Sequence, residues 1–215
     1  MKKSLMVILT VFLYMLIVTG CTSNQSQNNT QSISSTAEIP EGAVSHFLSE
    51  LQHENFAGAK AYYVENMDNM ANLRNQLEAI SPSVANKIFS KLADFTYTIE
   101  STIIDSNTPS QSTVYVTMDY YDVGQTIETI LLDYIGNDIS MTYDGSKDDD
   151  ITKKVDEASS EALNSTTKTT ESHIPISLVL EDDKWKVTKL SENPELLNAL
   201  SGNIINTFNA HSNTQ

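Results

Sequence analysis

The chain has a single cysteine, Cys21, which excludes an internal disulfide, a Cys-rich zinc centre and CxxC redox chemistry. Basic side chains are scarce: 13 Lys and Arg stand against 28 Asp and Glu, a formal charge of −15. That mean field repels nucleic acid and anionic lipid headgroups, so neither is an expected partner. No Gly-rich phosphate loop, no GxSxG nucleophile elbow and no internal repeat occurs. A membrane-spanning run is also missing. The stretch from Leu5 to Val18, apolar except at Thr10, covers only about 21 Å as a helix at 1.5 Å per residue, short of the roughly 30 Å hydrocarbon core. What is present is an ordinary globular composition, 40% apolar and 19% charged over 215 residues, enough for one domain with extras.

Lys2 and Lys3 precede the apolar run and small residues follow it, which is the layout of a signal peptide. Val18-Thr19-Gly20-Cys21 then resembles the lipobox of bacterial lipoproteins: a branched apolar residue, a small one, Gly and Cys. The resemblance implies cleavage after Gly20 and a thioether-linked diacylglycerol on Cys21. It places the chain, lipid-anchored, on the extracytoplasmic face of the cell membrane. Two or more acyl chains of the palmitate kind, at about 0.8 kcal/mol per buried methylene, hold where one does not. Loss of Lys2 and Lys3 leaves 11 basic against 28 acidic side chains, a balance of −17. From Thr22 to Thr36 every residue but Ile33 is Ser, Thr, Asn or Gln, a flexible tether with nothing to bury. The expected division is therefore a signal peptide over 1–20, a lipidated Cys and tether over 21–39, one domain over 40–210 and a tail over 211–215.

Within that domain Pro40 opens a helix with Val44, Phe47, Leu48 and Leu51 on one face. Asn55 caps a short helix holding Phe56, Ala59 and Tyr62, and Asp68 starts another carrying Met70, Leu73, Leu77 and Ile80. After Ser81-Pro82-Ser83, helical spacing returns through Val84, Ala85, Ile88, Phe89 and Leu92. The period then changes to two. Phe95, Tyr97, Ile99 and Ile103 alternate with Thr96, Thr98, Glu100 and Thr102, and Val114, Val116, Met118 and Tyr120 alternate with Thr113, Tyr115, Thr117, Asp119 and Tyr121. The two runs predict an antiparallel hairpin. Helical stripes follow from Thr126 and again after Asp148-Asp149-Asp150. A second hairpin is predicted from Ile174, Ile176, Leu178 and Leu180 to Trp185 and Val187, with Pro175 demanding an edge or a bulge. Pro194 opens a last helix through Leu197, Leu200, Ile204 and Phe208, weakened at Gly202.

Helices and hairpins segregated in this order predict an α+β fold with about four strands in one sheet. The order resembles the cone-shaped superfamily of nuclear transport factor and ketosteroid isomerase, in which helices cover the concave face of a bent antiparallel sheet. A closer likeness is to uncharacterised lipoproteins of Gram-positive bacteria. It rests on the spacing of Val44, Phe47, Leu48, Leu51, Asn55, Phe56, Ala59 and Tyr62, and on Trp185-Lys186-Val187 followed by Leu196-Leu197-Asn198-Ala199-Leu200.

The resemblance implies a pocket inside the cone, for which Tyr97, Tyr120 and Tyr134 are the candidates. Alternation turns Glu100, Asp119 and His173 the other way, towards water, where ordinary acidities are expected. Tyr115, Thr117 and Tyr121, with Thr96, Thr98, Thr102 and Thr113, then gather on the opposite sheet face, a candidate interface because tyrosine offers area with a polar tip. His46, Glu50 and His53 share a helix face at metal-ligand spacing, but on the solvated side of the helix. Asp144, Ser146, Asp148 and Asp150 imitate the start of a calcium loop, yet Asp149 replaces its Gly and Val155 its closing acid. The reading that results is a membrane-anchored, non-catalytic binding or interaction module with no catalytic residue, metal or cofactor. Its expected partners are the membrane through the lipid, and a peptide, a small apolar ligand or another protein, a homodimer included. The alternatives are a cone-fold isomerase or hydrolase with an internal acid, and a purely structural or secretion-assisting lipoprotein.

Overall fold

A computed structural model of the chain describes residues 39–67, 72, 74–75, 78–79, 81–129, 157 and 159–207. Gly20, Cys21, the tether, Tyr134, the acidic loop at 144–150 and most of the helix expected from Asp68 lie outside these residues.

The fold is a mixed one: several helices and a four-stranded antiparallel sheet in the order β1-β2-β3-β4. Helix α1 (Pro40–Gln52) has Pro at its first turn, where a missing N–H costs nothing, and it buries Val44, Phe47, Leu48 and Leu51. The short α2 (Phe56–Ala59) is capped by Asn55, whose side chain accepts the Gly58 N–H at 3.1 Å, and runs into a 3-10 turn (Lys60–Tyr62). Ser81 caps α3 (Pro82–Ala93) by accepting from Val84 N–H. Strands β1 (Thr96–Ile104) and β2 (Gln111–Tyr121) form the first hairpin, and β3 (Lys168–Glu181) and β4 (Lys184–Val187) the second. The second turn places Asp182 and Asp183 at φ 51° and 61°, the left-handed pair that a tight two-residue hairpin requires.

Val114, Val116 and Met118 of β2, Ile174, Ile176 and Leu178 of β3 and Trp185 and Val187 of β4 form one buried face with α1 and with Leu196 and Ala199 of α4 (Pro194–Leu200). Burying each of these large side chains fully is worth about 1.5–3 kcal/mol. A second cluster, Ile88, Val123, Ile127, Leu163 and Ile204, joins α3 to the helical stretches around 124–129, 159–165 and 204–207.

Three expectations about the chain's path need correction. First, Ile103 does not face the core: Ile99 pairs with Val116 but Ser101 with Tyr115, so Glu100 is an extra residue, a β-bulge, and the alternation inverts beyond it. Ile103 and Ile104 are exposed, Ser101 turns outward opposite Tyr115, and Thr102 takes the position opposite Val114 on the helix side. Second, β3 starts at Lys168 and not near Ile174, because Thr169 to His173 carries little apolar signal yet completes the ladder with β2. Pro175 fits since β4 pairs only with Leu178 to Glu181, leaving β3 without a strand on that side at Pro175. Third, the final helix stops at Leu200: Gly202 and Asn203 adopt φ 58° and 62° before helix resumes at 204. A Cβ on Gly202 would lie 2.6 Å from Val123 Cγ2 and 2.7 Å from the Tyr121 carbonyl oxygen, so glycine is required both by conformation and by close approach.

Candidate functional site

The helices cover one face of the sheet, and the other carries a polar, aromatic array built by two bulges. In β3, Val116 pairs with Ile174 and Met118 with Glu171, so Ser172 and His173 together oppose Thr117. His173 sits at φ 64°, a conformation uncommon outside glycine that His tolerates better than most residues. The bulges at Glu100 and His173 flank Thr117 from the two neighbouring strands. They deliver their side chains to one point.

There the Glu100 carboxylate accepts from the Thr117 hydroxyl, from the His173 N–H at 3.0 Å and from His173 Nδ1 at 3.0 Å. These donors draw Glu100 from the ordinary 4.5 down to about 2, the Thr117 hydroxyl first, then the His173 ring and the His173 backbone N–H, with burial opposing them. The expected ordinary acidity does not hold for this residue. A carboxylate only accepts, so Nδ1 carries the hydrogen of that bond. Tyr115 stacks on the imidazole with centroids 4.3 Å apart and planes 20° from parallel. A second rung crosses the same three strands: Asp119 accepts from Thr170 Oγ1 at 2.5 Å and from Thr96 Oγ1 at 3.2 Å. Among the described residues no hydroxyl or thiol hydrogen-bonds His173 Nε2, so no nucleophile is paired with it. What the arrangement offers is a fixed aromatic pair and two hydrogen-bonded carboxylates, with Glu100 and His173 exposed among the described residues.

The structure thus brings Tyr115 and Thr117 together with Glu100 and His173. Tyr121 does not join them. It packs on the second apolar cluster with the Lys91 ammonium 3.6 Å and the Lys168 ammonium 5.1 Å from its ring centroid, and Lys168 also pairs with Asp94 at 2.8 Å.

On the helix side, Tyr97 donates to the Ser45 carbonyl at 3.2 Å. Tyr120 is buried, donates to Glu171 Oε2 at 2.8 Å and lies 3.3 Å from Asn203 Oδ1. Burial, then the Glu171 hydrogen bond and charge and the Asp122 charge, push the phenol well above its ordinary value. Glu171 is the residue that a two-residue period misplaces: counting back from Ile174 puts it outside with His173, and the bulge turns it inward. Only the register with Met118 reveals this.

His46, Glu50 and His53 do not converge. His46 stacks on Tyr62 at 5.0 Å, Glu50 accepts from Asn55 Nδ2 at 2.6 Å and His53 Nδ1 contacts the Ser49 carbonyl at 2.7 Å. Among the described residues no group of three or more His, Cys, Asp or Glu is arranged to hold a metal, and no helix is long and apolar enough to cross a membrane.

Fold and surface together define a mixed helix–sheet protein in which, among the described residues, helices pack one face of the sheet and none packs the other. In comparisons with known proteins, no family model, no curated protein and no solved structure matches this chain.

Proposed function

We propose that the chain is an extracytoplasmic lipoprotein, anchored through a lipid on Cys21, whose cone-shaped α+β domain serves as a non-catalytic interaction module, and that it contacts a protein partner through the uncovered sheet face. The observation that carries this reading is the double bulge, which spends two irregularities in flanking strands to fix Glu100, Thr117, His173 and Tyr115 at one exposed point. Bulges are devices that re-aim side chains, and nothing in the packed core needs these four residues. Rigid aromatic side chains with polar tips are the usual energetic anchors of a protein contact. The anionic balance favours a partner with a basic surface and opposes non-specific association with other acidic surfaces. The likeness to cone-fold lipoproteins supports the placement of helices against the concave side and leaves the convex side available.

The test is association of the full chain in detergent, followed by sedimentation velocity with and without its co-isolated protein. Tyr115→Ser and His173→Ala are expected to weaken the complex at least tenfold each, while Lys60→Ala, at an exposed site on the turn after α2, leaves it intact. Equal association in all four proteins would overturn the assignment of the open face.

A further inference from the structure

The sheet ends in β1 on one side and in β4 on the other. An edge strand offers unpaired N–H and C=O groups to any further strand, and proteins blunt such edges with short length, lysine, proline or a covering segment. β4 is blunted three ways: it has four residues, it carries Lys184 and Lys186, and Tyr63 forms a parallel bridge to Val187, whose carbonyl accepts the Val64 N–H at 3.1 Å. β1 has nine residues, no lysine, arginine or proline, and among the described residues no strand on its outer side. The bulge at Glu100 interrupts its ladder but leaves residues 101–104 regular, paired in step with 115 down to 112. At that end Ile103 and Ile104, on opposite faces of the strand, are 57% and 52% exposed.

The backbone of this run is set to receive a strand. The Asp105 N–H donates to the Gln111 carbonyl at 3.1 Å, and the Ile103 carbonyl accepts from Ser112 Oγ at 3.2 Å, so both residues direct these groups at β2. Direction alternates along a strand, which turns the N–H and C=O of Thr102 and Ile104 to the outer edge. We propose that a second copy of this chain pairs there, β1 antiparallel to β1, about a two-fold axis at Ile103. Opposed residues of an antiparallel pair share a face, so a two-fold axis perpendicular to the sheet sets one residue against itself. With the axis at Ile103, that side chain meets its own counterpart, Thr102 and Ile104 exchange backbone hydrogen bonds, and Asp105 faces only the Ser101 hydroxyl. An axis at Ile104 would set Ile103 against the Asp105 carboxylate, and one at Thr102 would set Ile104 against the bulged Glu100. The occupant is a copy of this chain because the strip is apolar and self-complementary: Glu100 is the one charged residue of β1, and Thr117 and His173 already hold its carboxylate. A basic partner finds no free charge there. The formal charge of −15 on each copy opposes approach, so salt, which screens it, strengthens the pair. The contact is separate from the one proposed for Tyr115 and His173.

The test is sedimentation equilibrium of the full chain in density-matched detergent at graded protein and salt concentrations, followed by mild oxidation of single-cysteine additions. The unaltered chain is expected to show a monomer–dimer equilibrium that tightens with salt. Ile103→Lys, at an exposed site that the core does not use, should weaken it at least tenfold. Ile103→Cys should form a disulfide-linked dimer in excess of any formed by the unaltered chain. Ser101→Cys should not, because its counterpart lies four residues along the paired strand, about 13 Å at 3.3 Å per residue, beyond the roughly 7 Å reach of a disulfide. Lys184→Cys, on the other edge, should not link either. A monomer at every concentration, a dimer indifferent to Ile103→Lys, or equal linking from positions 101, 103 and 184 would each overturn the proposal.

Discussion

Glu100 holds its charge because three donors on two other strands point at it. The sign of the consequence follows from the direction of the shift. A carboxyl depressed from the ordinary 4.5 to about 2 contributes stability that is fully present above pH 4.5 and is lost as the pH falls through about 2. Chemical denaturation at a series of pH values should show this loss, and Glu100→Gln should lack it, the two stability curves converging at the acid end. Parallel curves would contradict the link between Glu100 and its donors. Gly202 is the second residue whose chemistry is dictated locally. Gly202→Ala meets a left-handed backbone and contacts near 2.6 Å with Val123, so it should destabilise by about 2 kcal/mol or more in a urea titration, the sum of backbone strain and overpacking. A change within 0.5 kcal/mol would mean that the turn relaxes freely.

Between elements, Asn193 does what no single strand or helix does for itself. It is 1% exposed, accepts the Ser177 N–H at 2.7 Å, and donates to the Thr188 hydroxyl and the Lys189 carbonyl at 3.0 Å, joining β3 to the segment that leads into α4. Asn193→Ala leaves a strand N–H and two acceptors without partners and should cost about 1–3 kcal/mol in equilibrium unfolding; Asn193→Asp, which still accepts from Ser177, should cost less. Equal, negligible effects would show that water replaces the side chain. Elements of this kind were readable in the sequence where period and caps agree. Pro40 with its apolar stripe, Ser81-Pro82 before α3, and the alternation of Val114, Val116, Met118 and Tyr120 all appear as the residues alone indicate. What escaped reading was irregularity. Pro175 signals an edge or a bulge in β3 without placing it, and the extra residue in β1 leaves no mark, yet each bulge inverts a face, placing Ile103 outside and Glu171 inside. The site inherits that illegibility, since Glu100, Thr117 and His173 are distant in sequence and only the register unites them. Tyr121 shows the converse: its alternation matches that of Tyr115, but a second apolar cluster and two lysines claim it.

For the molecule as a whole, the proposed function assigns separate tasks to three parts: a lipid anchor at Cys21, a tether and a two-faced sheet. The anchor is testable by itself. Cys21→Ala should shift the full chain from the membrane fraction to the aqueous one after cell fractionation and abolish labelling by a radioactive fatty acid, because no lipid chain then offsets the hydration of a surface with 28 acidic side chains. Continued membrane retention without label would show that the apolar stretch from Leu5 to Val18 holds the chain. The two sheet faces divide the remaining work: one is filled by α1 and α4, while the other presents ordered groups that the core does not use. The most direct measurement of that division is photo-cross-linking in intact cells from a benzoylphenylalanine placed at position 115, with the same probe at position 60 as reference. The account predicts a discrete protein adduct from position 115 that disappears when Glu100→Ala is added, and none from position 60. Adducts of equal yield from both positions, or none from position 115, would contradict it.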